Sequence, residues 1–524
     1  MAATIQILFT ACVVLLVYRV YSSIQHVRRC RRFAAQHGCA DPPVLPSRLP
    51  GGVDYLWRLL TFKGDDLIDG FLMAPAYTLG NTFEHTVLGA RCVWTAEPRN
   101  FQAILATNFK DWEMGHVRRK SIEPLLGHSV FISDGPPWER ARAQLKPIFS
   151  RSQINDFEDA DYHVQILLRC LPTDKTGWTA DVDVIPMLFR FAFDAATEFL
   201  YGKSTNTQLA HIVDSSNPDD ARSNEDKRNE ASEFSEAFDL VTEYIMLRVF
   251  LGKAYFLGTS RKYRKSLAMI HRFVDGIVDN ALHPEKRTVN KAEAEETGRA
   301  DKIVFLDELA RTTQDPQELR QGILNLLVTG RDTTSTLLGW VLFWLARYPK
   351  IYEKLRCEVL AEFGPYDEGV DRIDFARLKS VKMLQWVIFE ALRVSSAVPL
   401  NNRVAARDTV LPVGGGPDGS QPIAVMKGDM VQMLLHVAQR REDLWGADAK
   451  EYKPMRWDGR HMGWDYIPFS GGRRVCIGQQ HALAETSFVI VRFCQRFDKI
   501  EHTDEWDNKV KTVGLTTMPG RGVN

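Results

Sequence analysis

The sequence has no surplus of either charge: 66 Lys and Arg stand against 66 Asp and Glu in 524 residues. A nucleic-acid partner normally demands a basic face to offset phosphate, so nothing in the charge supports that class of function. Cysteine is sparse as well. The eight cysteines include no CxxC pair and do not cluster with histidines at zinc-ligand spacing, which argues against a zinc module or a disulfide framework. Such scatter suits reduced thiols facing the cytosol, most of them small buried hydrophobes. No internal repeat is present, so a solenoid is not expected either. What remains is ordinary globular composition, 45% hydrophobic and 25% charged, with ample material for a large core.

One long apolar run does occur, at the start. Residues 2–22, "AATIQILFTACVVLLVYRVYS", are about long enough to cross a hydrocarbon core as a helix. "HVRRCRR" (26–32) follows, and nothing basic precedes the run, so the positive-inside rule puts the main body in the cytosol. A cleaved signal peptide is the rival reading, but it expects a basic start and a small-residue cleavage site. The expected organisation is a transmembrane anchor at 1–22, a basic and proline-rich connector at 23–52 and one catalytic domain at 53–524. Within the connector, "DPPVLPSRLPGG" (41–52) cannot continue a helix and reads as a stiff extended spacer.

The body is expected to be mainly helical. Apolar residues recur at three- and four-residue spacing around 157–170, 236–252, 318–348 and 380–394. Strongly polar stretches at 213–233 and 283–302 read as solvated loops. Short β patterns occur near 85–95 and 403–433, the second broken by "GGGPDG". One large α-rich domain with a small β portion fits best.

"FSGGRRVCIG" (469–478) places a single cysteine among glycines and arginines. Glycines at 471, 472 and 478 let the backbone turn sharply and approach a flat ligand. Arg474 and backbone amides can stabilise a sulfur that stays deprotonated, which is its metal-binding form. "QQHALAETSFVIVRFCQRF" (479–497) has helical periodicity, so Cys476 sits just before a helix N-terminus, where the dipole also favours thiolate. Phe469-x-x-Gly472-x-Arg474-x-Cys476-x-Gly478 resembles the haem-binding signature of the cytochrome P450 family.

Other segments carry the same resemblance in the same order along the chain. "VTGRDTTSTLLGW" (328–340) is similar to the family's oxygen-activation helix, (Ala/Gly)-Gly-x-(Asp/Glu)-Thr-(Thr/Ser). In helical phasing Leu326, Thr329, Gly330, Thr333 and Leu337 share one face, and a mid-helix Gly330 costs roughly 1 kcal/mol against Ala, so it wants a reason such as room for a ligand. Glu390-x-x-Arg393 resembles the family's ExxR. The chain holds at least six such spacings, and position selects this one: it precedes Pro454-x-Arg456-Trp457, similar to the family's P-x-R-(F/W), whose arginine completes a Glu–Arg–Arg lock in relatives. Trp138-x-x-x-Arg142 resembles the WxxxR of the haem-edge helix, with both side chains on one face.

The resemblance implies a cytochrome P450 fold holding haem b, with Cys476 as axial ligand of the iron. Arg474, Arg142, Trp138 and Arg403 are implied to face the propionates, with Phe469, Gly472 and Gly478 shaping the loop. Glu390, Arg393 and Arg456 are implied to lock the core, and Asp332 with Thr333 to manage protons. Thr329, Gly330, Val398 and Leu400 are implied to line the substrate pocket. The implied activity is monooxygenation of a lipophilic substrate with O2, at the endoplasmic reticulum membrane, the two electrons coming from an NADPH-dependent cytochrome P450 reductase. The thiolate pushes electron density that favours O–O cleavage.

Several phrases, among them "ILATNFKDWEMG" (104–115), "PLLGHSVFISDGPPW" (124–138) and "FLDELARTTQDPQELR" (305–320), resemble the fungal alkane- and fatty-acid-hydroxylating branch. Long-chain fatty acids or alkanes are the substrates this implies. The chain departs from that branch at Thr329, in "VSSAVPLNN" (394–402), which lacks the usual proline at 396, and at His481. A hydroxylase that tailors fungal polyketides or terpenoids is therefore the alternative. A haem-dependent isomerase or dehydratase commonly loses the acid–alcohol pair, which is intact here. A non-catalytic haem protein usually binds through His or Cys-Pro, and Ile477 follows Cys476. A redox thiol would leave the arginine set idle.

Overall fold

The computed structural model describes residues 2–64, 66–149, 157–171, 173–179, 181–209, 218–283, 305–368, 370–503, 511–520 and 522–523. Helices dominate. They include α1 (Ala2–Gln36), α2 (Val53–Leu60), α3 (His116–Leu126), α4 (Gly135–Leu145), α5 (Glu158–Arg169), α6 (Ile185–Tyr201), α7 (Pro218–Phe250), α8 (Arg261–Leu282), α9 (Pro316–Arg347), α10 (Pro349–Phe363), α11 (Lys382–Val394) and α12 (Gln479–Arg496). The helical periodicities at 157–170, 318–348 and 380–394 correspond to α5, α9 and α11, and that at 236–252 to the end of α7.

α9 is the axis of the molecule. Asp315 caps it by accepting from the Gln317 amide at 2.9 Å, Pro316 occupies the first turn, and Pro349 follows its end. Its 32 residues span about 48 Å. Leu337, Trp340, Val341 and Leu345 on α9 share one core with Leu188 on α6, Leu355 on α10, Val387 and Ile388 on α11 and Phe488 on α12. A second core joins Ile323 and Leu327 of α9 to Phe234 and Phe238 of α7 and Ile270 of α8.

A sheet with strand order β1-β2-β7-β4-β3 stands beside this bundle: β1 (Thr82–Val87), β2 (Ala90–Thr95), β3 (Trp112–Glu113), β4 (Leu400–Ala405) and β7 (Met430–Leu434). β2 and β7 pair in parallel, Cys92 opposite Met430. β5 (Thr409–Gly415) and β6 (Gln421–Val425) form a hairpin around the "GGGPDG" turn, and β8 (Lys511–Val513) pairs with β9 (Thr517–Pro519).

Three expectations change. The polar stretch 213–233 is not a loop throughout, because α7 begins at Pro218; alternating Asp, Glu, Lys and Arg at helical spacing support a helix without an apolar face. Its residues 213–217, and nearly all of the 283–302 loop, lie outside the described residues. The proline-rich connector is no free spacer, since Glu84 donates its amide to Pro43 O at 2.8 Å and Leu45 to Glu84 O at 2.8 Å. An extended chain offers main-chain groups to the open edge of β1, so residues 43–45 pack on the folded body. Lastly, α1 runs unbroken through the basic segment to Gln36, and Arg29 pairs with Asp408 of the body at 2.6 Å. Among the described residues no helix is long and apolar enough to cross a membrane; most side chains of 2–22, on which the transmembrane expectation rests, lie outside the described residues.

Candidate active site

α9, the cysteine loop and the sheet enclose one cavity of about 900 Å³. The cysteine loop forms its floor. Gly472 has φ +60°, and a Cβ there would stand 2.0 Å from the Leu105 carbonyl oxygen, so only glycine lets the loop close on its neighbour. Past this turn Val475 donates to Gly472 O at 3.2 Å and Cys476 to Phe469 O at 2.9 Å. Arg142 Nη1, from α4, donates to Val475 O at 3.0 Å. These bonds fix Cys476 just before α12. Its exposed surface is cavity wall. Burial pushes the thiol up, against the opposing pull of the Gly478 amide and Arg142.

The rim of the cavity is unusually cationic. Arg474 donates to Asp134 Oδ1 at 2.7 Å and to Ser133 O at 3.0 Å, and its guanidinium stacks on Trp138 at 4.4 Å. Arg403, on β4, is 4% exposed and reaches only neutral acceptors, Asn401 Oδ1 at 2.9 Å and Asn402 O at 2.6 Å. Arg118, on α3, donates to the Asn401 and Asn402 side chains at 3.2 Å each, while its Nε is buried with no partner among the described residues. Desolvation lowers Arg118 and Arg474 to about 10, and Arg403 is lowered further by desolvation and then by the charges of Arg118 and Arg474. Arg118, Arg142, Arg403 and Arg474 thus share the cavity lining, while Asp134 accepts from Arg474 and, at 3.4 Å, from Arg119. The set calls for anionic oxygens from a ligand, and two carboxylates would suit it.

The opposite wall is α9. Thr329 donates to Asn325 O at 2.8 Å and Thr333 to Thr329 O at 2.5 Å, so each hydroxyl commits its proton to its own helix and leaves acceptor lone pairs free. Gly330 also borders the cavity, and a Cβ there would meet Ala196 of α6 at an ordinary 3.6 Å. Asp332 is buried, and desolvation raises its pKa to about 6. Arg331 beside it lies among the rings of Phe189, Phe193 and Phe238 and pairs with Asp239 at 2.6 Å and Asp332 at 3.5 Å. Val398 and Leu400 complete the apolar lining.

Behind the loop, Arg393 grips Glu390 through two bonds of 2.9 and 2.8 Å, and Arg456 Nε donates to Glu390 at 2.8 Å. Trp457 Nε1 adds a third donor at 3.0 Å. Glu390 and Arg393 are fully buried. Of the residues singled out in the sequence, this trio, Pro454, Trp457, Gly471 and Gly472 stand off the cavity, while Trp138, Arg142, Thr329, Gly330, Asp332, Thr333, Val398, Leu400, Arg403, Phe469, Arg474, Cys476 and Gly478 border it. Sequence reasoning missed Arg118, Asp134 and Glu485. "VRRK" reads as a solvated charge run, and Asp134 carries no signal beyond preceding the helix of Trp138. Glu485, on α12, accepts from Thr334 at 3.4 Å and is raised by burial.

The sequence model of the cytochrome P450 family matches residues 48–523. The chain belongs to the cytochrome P450 family. This cytochrome P450 is 40% identical over 494 residues to Cytochrome P450 monooxygenase g430 of a Fusarium species, covering 93% of this chain and 85% of that one. It is 39% identical over 528 residues to Cytochrome P450 monooxygenase alt2 of Alternaria solani, covering 96% and 94%. With Cytochrome P450 52E1 of Candida apicola it shares 39% over 473 residues, covering 89% and 87%. It is a haem-dependent monooxygenase, and cytochromes P450 of this kind draw electrons from NADPH through a reductase. The observed donor set fits that cofactor: a thiol in the floor, cations for two carboxylates at the rim, and an apolar vault above.

Proposed function

We propose that this cytochrome P450 hydroxylates an unactivated C–H bond of a long-chain fatty acid or alkane. The observation that carries the reading is the opening of Cys476 into an apolar cavity directly bounded by Asp332 and Thr333. Cys476, as thiolate, would hold the iron of haem b. Arg118, Arg142, Arg403 and Arg474 would hold its carboxylates, Trp138 keeps Arg474 in place, and Phe469, Gly472 and Gly478 shape the cysteine loop. When bound, the haem supplies O2 activation and transfer of one oxygen atom to carbon.

The protein's own residues handle position, dryness and protons. Val398, Leu400 and the Thr329–Gly330 face seat the substrate chain and exclude water. Asp332, poised near neutral pH by its burial, can hold and release a proton at its carboxylate within the working range. Thr333 Oγ1, its own proton given to Thr329 O, offers lone pairs that can accept a hydrogen bond at the cavity face. Glu390, Arg393 and Arg456 keep the core around the loop rigid. An NADPH-dependent cytochrome P450 reductase supplies electrons. The apolar residues 2–22, followed by the basic segment, hold the protein at the endoplasmic reticulum membrane with the catalytic body in the cytosol, close to dissolved apolar substrate.

A second reading, tailoring of a fungal polyketide or terpenoid, is favoured by polar groups in the lining: Thr329, Asn401 and Asn402 border the cavity. The test is the carbon monoxide difference spectrum of the reduced protein, followed by substrate-induced spin shifts with both ligand classes. The long-wavelength Soret band of thiolate ligation should appear in wild type and vanish in Cys476→Ala. A wild-type band typical of histidine ligation, or a Cys476→Ala protein with normal haem content and activity, would overturn the assignment.

A further inference from the structure

A second group of polar atoms borders the same cavity, and neither the cofactor nor the acid–alcohol pair uses it. His85, on β1, is 4% exposed and lines the cavity, yet neither ring nitrogen has a hydrogen-bond partner among the described residues. Trp94 Nε1, on β2, is buried too, and faces only the thiol of Cys92. The His85 ring lies 4.5 Å from Tyr55 and 5.3 Å from Trp94, edge-on to both. Leu56, Leu59 and Leu72 make the rest of this wall apolar. Buried polar atoms without partners are expensive to keep, and packing alone would be better served by a phenyl ring.

This wall is far from the cationic rim. In the order β1-β2-β7-β4-β3, β1 stands three strands from β4, which carries Arg403. At ordinary strand spacing that is about 14 Å. It is also uncharged. Glu84 on β1 is paired with Arg91 at 2.8 Å, Arg58 on α2 sits over the Phe71 ring, and none of the three borders the cavity. Burial lowers His85 to about 4, so the ring is neutral, with one nitrogen donating and the other accepting. An ionised carboxylate would meet no cation from β1, β2 or α2, the cation that borders the cavity beyond Phe250 being Lys253 on the segment after α7, and an alkyl end would leave both nitrogens unpaired.

We propose that His85, with Trp94 beside it, forms a subsite for an uncharged hydrogen-bonding group, a hydroxyl or a carbonyl, at the end of the substrate remote from Cys476. The inference deepens the reading of the cavity as a lipophilic-substrate site and rests on it. Within the lipophilic class it shifts the expected substrate from the free acid or the hydrocarbon to a long-chain alcohol or carbonyl compound, oxidised at the far end.

The experiment titrates haem-loaded wild type, His85→Phe and His85→Gln with two matched sets, followed by spin shift and calorimetry. One set is an n-alkane, its 1-alkanol and its fatty acid; the other is a terpene hydrocarbon and its alcohol. Wild type should bind the alcohol about tenfold more tightly than the hydrocarbon in at least one set, the size of one to two net hydrogen bonds. His85→Phe should bring that ratio close to one without weakening hydrocarbon binding, and should melt no lower than wild type when ligand-free. His85→Gln, which keeps a donor and an acceptor, should retain most of the preference. Preference in the terpene set with no binding of linear chains would sink the long-chain reading and leave the subsite standing. A wild type without preference in either set, an unchanged ratio in His85→Phe, or a His85-dependent gain confined to the fatty-acid anion would each overturn the subsite. The wild-type ratio and His85→Gln decide the matter even if His85→Phe folds poorly.

Discussion

Asp332 shows how one buried side chain links chemistry to stability. Its pKa rises from the ordinary 3.8 to about 6 because burial penalises the carboxylate. The fold therefore holds the proton more tightly than the unfolded chain does. That favours the folded state fully below about pH 4, and the advantage is lost as pH climbs through about 6. A two-unit shift corresponds to at most about 3 kcal/mol. Asp332→Asn should accordingly be more stable than wild type at neutral pH, with a gap that narrows toward pH 4, in urea denaturation at several pH values. Glu485 is raised in the same direction, so the substitution should flatten only part of the slope. At this scale the sequence was informative wherever a residue type is rare and its neighbours are constrained. Cys476 among glycines and Asp332 before paired threonines could be picked out by eye. Arg118 could not, because the value of its charge depends on being buried opposite Asn401 and Asn402, 283 and 284 positions away.

Helices raise the same issue at the next scale, where identical spacings serve unlike ends. Glu390–Arg393 and Glu308–Arg311 are both three apart and both paired at 2.8 Å. The first pair is fully buried on α11 and shared with Arg456; the second is on the surface, with Arg311 75% exposed. Removing one partner of a buried pair strands the other charge and costs about 3–5 kcal/mol, whereas an exposed pair is worth about 0.5 kcal/mol. Glu390→Gln should thus lower the melting temperature sharply and reduce haem retention, while Glu308→Gln should leave both almost unchanged. Equal effects in thermal melts followed by far-UV and Soret signals would contradict this account. Spacing reveals that two residues can meet, and only packing determines what the meeting is worth. α7 carries the complementary lesson, since its start at Pro218 is written in charges rather than in an apolar stripe.

At the scale of the whole molecule, the helix-rich class and both β regions were readable, because periodicity is a local property. The pairings were not. β2 meets β7 across 338 positions at Cys92 and Met430, and residues 43–45 join the edge of β1; no local signal carries such matches. The arginine rim is another product of assembly, its members coming from α3, α4, β4 and the cysteine loop. With Arg119, which also pairs with Asp134, five guanidiniums outnumber that carboxylate, and two ligand carboxylates would offset part of the excess. The cofactor-free chain is in this respect a compressed spring of like charges, and the cofactor acts as the clasp. Added salt screens such repulsion, so raising ionic strength should stabilise the cofactor-free protein more than the loaded one and weaken cofactor retention; denaturation midpoints of both forms at low and high salt measure the difference. Folding and loading then become a single electrostatic event, in which the last counter-ions of the protein arrive as part of its catalyst.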